Sequence, residues 1–130
     1  MLLIGIIYSC SNEEEPIELD KATMYISNKG VSDTIRLLNY QRVSMSGEAE
    51  VHLNDSVFWV RAEQNTVFQD QFEIDGGWFQ IVVPYKIPNR IVASVKDNKL
   101  APNDKWSIKV SISNANVFRH IEIKSKESYE

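Results

Sequence analysis

Cysteine is nearly missing from this chain: Cys10 is the only one, and a lone thiol closes no internal disulfide. Any folded part must therefore be held by packing. Histidine is scarce too, with only His52 and His120 available as acid–base groups near neutral pH. The apolar run at residues 2–8 falls far short of the about 20 residues that a membrane-spanning helix needs. Glycine and proline, at five and four residues, are few, which excludes collagen-like and low-complexity chains. No internal repeat is visible. Also missing are the G-x-S-x-G elbow, the H-E-x-x-H helix, the P-loop and any pair of cysteines. A non-catalytic protein with no cofactor and no metal centre is the expectation.

What is present begins with an address. The apolar run leads into Ile7-Tyr8-Ser9-Cys10, and the polar stretch Ser11-Asn12-Glu13-Glu14-Glu15-Pro16 follows at once. Residues 7–10 resemble the bacterial lipobox, whose cysteine is acylated and becomes the new N-terminus. The resemblance implies a signal peptide over residues 1–9, a lipid anchor at Cys10 and an acidic tether over residues 10–20. No Lys or Arg precedes the apolar run, so either translation starts further upstream or the signal is atypical. The competing reading of residues 2–8 is a buried strand, with Cys10 as a small hydrophobe. Glu13, Glu14 and Glu15 resemble the export tag that carries some Bacteroidetes lipoproteins to the cell surface, which implies an outer-membrane location and possible surface exposure. A plain solvated linker is the other reading of these residues.

Charge is divided along the chain. Of 18 acidic side chains five precede Lys21, leaving 13 against 14 basic ones from residue 21 onward. The acidity thus belongs to the tether, and residues 21–130 are close to neutral. Residues 84–130 hold nine basic and five acidic side chains, and residues 21–83 five and eight. That polarity is too mild for a phosphate-binding patch, so nucleic acid is not an expected partner.

Residues 21–130 are enough for one domain with one core. Their clearest pattern is Trp106-Ser107-Ile108-Lys109-Val110-Ser111-Ile112, the period-two alternation of a strand with one wet face. Residues 113–116 supply turn chemistry. A second strand over residues 117–124 then sets Ile121 and Ile123 against His120, Glu122 and Lys124. Asp75-Gly76-Gly77 marks another hairpin inside residues 72–83, and Pro84 and Pro88 end its second strand. Further strands are predicted at residues 22–27, 34–43, 50–53, 57–62 and 90–95, and no helical period is found. Seven or eight short strands point to an all-β, immunoglobulin-like two-sheet sandwich, packed around Trp59, Trp78, Trp106, Phe72 and the aliphatics.

Residues 106–114, followed by Arg119-His120-Ile121-Glu122-Ile123, are similar to the closing strands of BACON domains, the Bacteroidetes-associated carbohydrate-binding modules. Ala101-Pro102-Asn103-Asp104 stands where that family has a Gly-rich segment. The resemblance spans about 20 residues of sheet-forming sequence and implies an Ig-like fold in a Bacteroidetes protein.

The candidate site residues are few. Trp78 and Phe79 are adjacent in a predicted strand, so one should face outward, where with Gln80 and Tyr85 it would form a binding surface. Phe58 and Trp59 pose the same choice. His120 and Glu122 share a face, but two ligands make no metal site, and a solvated cross-strand charge network is expected; His52 is expected to be solvated. Asp33-Thr34-Ile35 and Asp55-Ser56-Val57 resemble the Bacteroidetes O-glycosylation motif, with Thr34 and Ser56 as acceptors. Two functions remain open: a lipid-anchored envelope module that binds a glycan or another envelope protein, and a structural or assembly subunit of a larger outer-membrane complex.

Overall fold

In a computed structural model of the chain, described over residues 17–38, 44–45, 47–64, 71–84, 90–114 and 117–126, every regular element but one helical residue at position 126 is β. The strands are β1 (Thr23–Ile26), β2 (Ser32–Arg36), β3 (Ser44–Met45), β4 (Glu48–Leu53), β5 (Ser56–Arg61), β6 (Glu63–Gln64), β7 (Gln71–Asp75), β8 (Phe79–Pro84), β9 (Arg90–Val95), β10 (Trp106–Asn114) and β11 (Val117–Ser125). With β3 and β6 two-residue pieces, nine longer strands carry the architecture. The first sheet runs β1-β11-β10-β4-β5, with β3 also on β10; the second runs β2-β9-β8-β7-β6.

The strand order is that of an immunoglobulin-like sandwich. β2, β9 and β8 stand as the B, E and D strands of one sheet, and β4, β10 and β11 as C, F and G of the other. The chain enters along the second sheet, where Leu19 bridges Leu37 and Asp20 N donates to Arg36 O at 3.1 Å. It then crosses to pair β1 parallel with β11. Ile17 is fully buried, and Arg119 donates to its carbonyl at 2.8 Å. Residues 17–20, expected to precede the folded domain, therefore belong to the sandwich, because an apolar pair, Ile17 and Leu19, alternates with Glu18 and Asp20 as an edge strand would.

Alternation decides what enters the core. Ile108, Val110 and Ile112 of β10 and Ile121 and Ile123 of β11 point inward against Ile74, Ile81, Val83 and Ile91 of the second sheet. The expected strands at residues 22–27, 50–53, 57–62 and 90–95 are present with slightly shifted ends. Of the span expected at 34–43, β2 (Ser32–Arg36) takes in only residues 34–36 after starting two residues earlier, and residues 39–43 lie outside the described part. Trp59, expected in the core, is instead 58% exposed, since Phe58 and Val60 take the inward positions of β5. Phe72 packs against the core as expected.

The hairpin of β7 and β8 turns at Gly76 and Gly77. Gly77 has φ +89°, a left-handed conformation that glycine tolerates, and its N–H donates to Asp75 Oδ1 at 2.9 Å. At Gly76 a side chain would overlap the ring of Phe79, so this glycine makes room for the core.

Candidate ligand-binding face

The expected aromatic site at this hairpin does not form. Trp78 is 9% and Phe79 1% exposed. Strand alternation does not govern the pair, because Trp78 lies in the bend before β8 starts. Phe79 points inward with Ile81 and Val83, and Trp78 folds in from the turn to meet Phe79 and Trp106 edge-on, at centroid distances of 4.8 and 5.1 Å. Gln80 is half-buried on the other side of its strand, in register with Asp75 and Ser94. Tyr85 and Cys10 lie outside the described residues. Of the two O-glycosylation candidates, Ser56 is exposed where β5 begins, while Thr34 is half-buried on β2 and its Asp33 is bonded to Lys21 Nζ at 2.8 Å.

Exposed aromatics gather elsewhere, on the outer face of the first sheet. Tyr25 on β1, Trp59 on β5 and Phe118 on β11 are 49%, 58% and 63% exposed. Each sits at the outward parity of its strand: Tyr25 flanked by buried Met24 and Ile26, Trp59 in step with Val57 and Arg61, Phe118 in step with His120, Glu122 and Lys124. Those parities were readable in the sequence. What placed the three rings on one face was the pairing of β1, β5 and β11 into one sheet.

Registers give the layout. One row across the strands is Thr23, Glu122, Lys109, Glu50 and Trp59; the next is Tyr25, Lys124, Ser107, His52 and Val57. Phe118 lies opposite Ser113, and His120 opposite Ser111, further along β10. With strands about 4.8 Å apart and about 3.4 Å of rise per residue, the three rings stand roughly 20 Å from one another. Between them the surface is polar. Lys124 Nζ lies 2.7 Å from Glu122 Oε1, His52 Nε2 is 2.9 Å from Glu50 Oε2, and Ser111 Oγ is 2.7 Å from His120 Nδ1. His52 is half-solvated and bonded to Glu50 on its own strand, while His120 and Glu122 share a face on which Glu122 pairs with Lys124 along β11 and His120 is bonded to the Ser111 hydroxyl of β10.

One end of the face is fixed by a loop. Asn54, at φ +53° in the two-residue turn between β4 and β5, donates to Asp104 Oδ1 at 3.0 Å and accepts from Lys105 N at 3.0 Å. Asp104 Oδ2 also accepts from Ala101 N at 2.7 Å. The Asn54 and Ala101 bonds hold the Asp104 carboxyl below its ordinary value, because both favour the charged form. No protein-family model, curated protein or solved structure matches this chain.

Proposed function

We propose that this chain is a non-catalytic binding module of the cell envelope, held to the outer membrane through a lipid on Cys10, that engages glycans on the outer face of its β1-β11-β10-β4-β5 sheet. The observation that carries this reading is the ring of exposed aromatics, Tyr25, Trp59 and Phe118, around a centre of charged and hydroxyl side chains. Protein interfaces are built the other way, with charges depleted at the centre and aromatic anchors clustered there. Sugars instead suit separated aromatic platforms with hydrogen-bonding groups beside them. The likeness of residues 106–114 and 119–123 to the closing strands of BACON domains points to an Ig-like fold in a Bacteroidetes protein and carries no ligand class, and the lipobox-like residues 7–10 with the acids after them support the location.

A second reading, a structural or assembly subunit of a larger outer-membrane complex, is favoured by the edge position of β5, where Val57 and Trp59 are both exposed. A glycan array probed with the full chain in mild detergent separates the two. Array binding that is lost in a Tyr25→Ala, Trp59→Ala, Phe118→Ala triple variant of unchanged melting temperature supports the glycan module. A blank array together with a stoichiometric envelope protein that co-purifies with the wild type and not with Trp59→Ala supports the assembly subunit.

A further inference from the structure

We infer, building on the glycan-binding reading, that the ligand is an electrically neutral oligosaccharide chain lying across the strands from Trp59 to Tyr25. The two rows between those rings hold Glu50, Lys109 and Glu122 in one, and His52, Ser107 and Lys124 in the other. Each lysine there already faces a carboxylate, and His52 is hydrogen-bonded to one. Lys124 is bridged to Glu122 and His52 to Glu50, and Lys109 stands in register between Glu50 and Glu122.

An acidic or sulfated polymer would have to displace those carboxylates while being repelled by them, a like-charge juxtaposition that discriminates strongly against a partner. A neutral chain meets no such opposition. Its hydroxyls both donate and accept, so they can bond the Glu50 and Glu122 carboxylates, the Lys109 and Lys124 ammonium groups and the Ser107 hydroxyl without breaking the charge balance.

Size and shape narrow the ligand further. Shallow depressions flank Lys109, one of about 380 Å³ reaching Trp59 and Glu50 and one of about 540 Å³ reaching Thr23, His120 and Glu122. Trp59 and Tyr25 stand roughly 20 Å apart at normal sheet spacings, so a single sugar touches one ring and only a chain touches both. Affinity should therefore rise with chain length until both rings are covered, as linked sites reinforce each other.

The test is affinity gel electrophoresis of the full chain in mild detergent, with galactomannan and hydroxyethylcellulose as neutral polymers and polygalacturonate and dextran sulfate as acidic ones. Retardation by a neutral polymer is expected, with about tenfold weakening in Trp59→Ala and in Tyr25→Ala, the usual loss for one aromatic anchor. The double variant Glu50→Gln, Glu122→Gln should gain retardation by the acidic polymers. Wild-type retardation by the acidic polymers as strong as by the neutral ones, and still dependent on Trp59, would overturn the neutral class and leave the glycan reading standing. Retardation by none of the four polymers would count against both.

Discussion

Trp106 Nε1 donates to Asn28 Oδ1 at 2.7 Å inside the sandwich, across a sequence separation of 78 residues. The same oxygen accepts from Ser125 Oγ at 3.2 Å, and the Asn28 amide donates to the carbonyls of Ala101 and Asp104 at 3.0 and 2.9 Å. One buried asparagine thus ties the segment after β1 to the loop before β10 and to the ends of β10 and β11. Trp78 makes the contrast. Its Nε1 is buried with no hydrogen-bond partner among the described residues.

Trp106→Phe and Trp78→Phe remove the same atoms, so the difference between them reads the Trp106–Asn28 bond. Trp106→Phe should be the more destabilising by about 1–3 kcal/mol, the cost of leaving part of a buried polar group unsatisfied. Urea titrations of the two variants check this. Equal losses would mean that the bond contributes nothing net.

Gly76 and Gly77 should fail for different reasons. Gly76→Ala drives a methyl into the Phe79 ring and should cost about 1–3 kcal/mol as overpacking. Gly77→Ala has open space but a positive φ, and should cost about 1–2 kcal/mol. In a Phe79→Leu background the Gly76 penalty should shrink and the Gly77 penalty should not, which a double-mutant cycle measures.

Acid should loosen the loop that carries Asp104. Its carboxyl titrates below the unfolded value of 3.8 because Asn54 and Ala101 bond the charged form. The stabilisation is therefore present above the unfolded value and is lost as pH falls through the lower folded one. Asp104→Asn, which cannot titrate, should flatten the fall of melting temperature on the acid side of about pH 4 and leave its shape at neutral pH unchanged.

Cys10→Ala should release the protein from membranes, because acyl chains supply most of the affinity of such an anchor. Fractionation after a high-salt and carbonate wash checks it. An Ala variant that stays with the membrane would contradict a lipid on Cys10.

Much of the sandwich was legible because β10 alternates strictly from Trp106 to Ile112 and because Asp75-Gly76-Gly77 admits little but a turn. The inward and outward parity of Phe58 and Trp59 was also open to reading, since the charged Arg61 shares the parity of Trp59 and the apolar Val60 that of Phe58. Other features were not local. Trp78 escapes the alternation that governs Phe79 because it sits in the bend, and no spacing in the sequence announces where a strand begins to within one residue. The Asn28 network joins residues 73 to 97 positions apart, beyond any periodicity. The candidate face was hidden for the same reason: its rings come from β1, β5 and β11, and only the sheet order brings them together.

The most direct measurement is an amide chemical-shift map of the isotope-labelled protein titrated with a soluble galactomannan oligosaccharide. Shifts concentrated on residues 23–25, 50–52, 57–59, 107–111 and 118–124, with residues 75–82 unmoved, are the predicted result. Shifts centred on the β7–β8 hairpin or the second sheet, with Tyr25 and Trp59 unmoved, would contradict the placement of binding on this face.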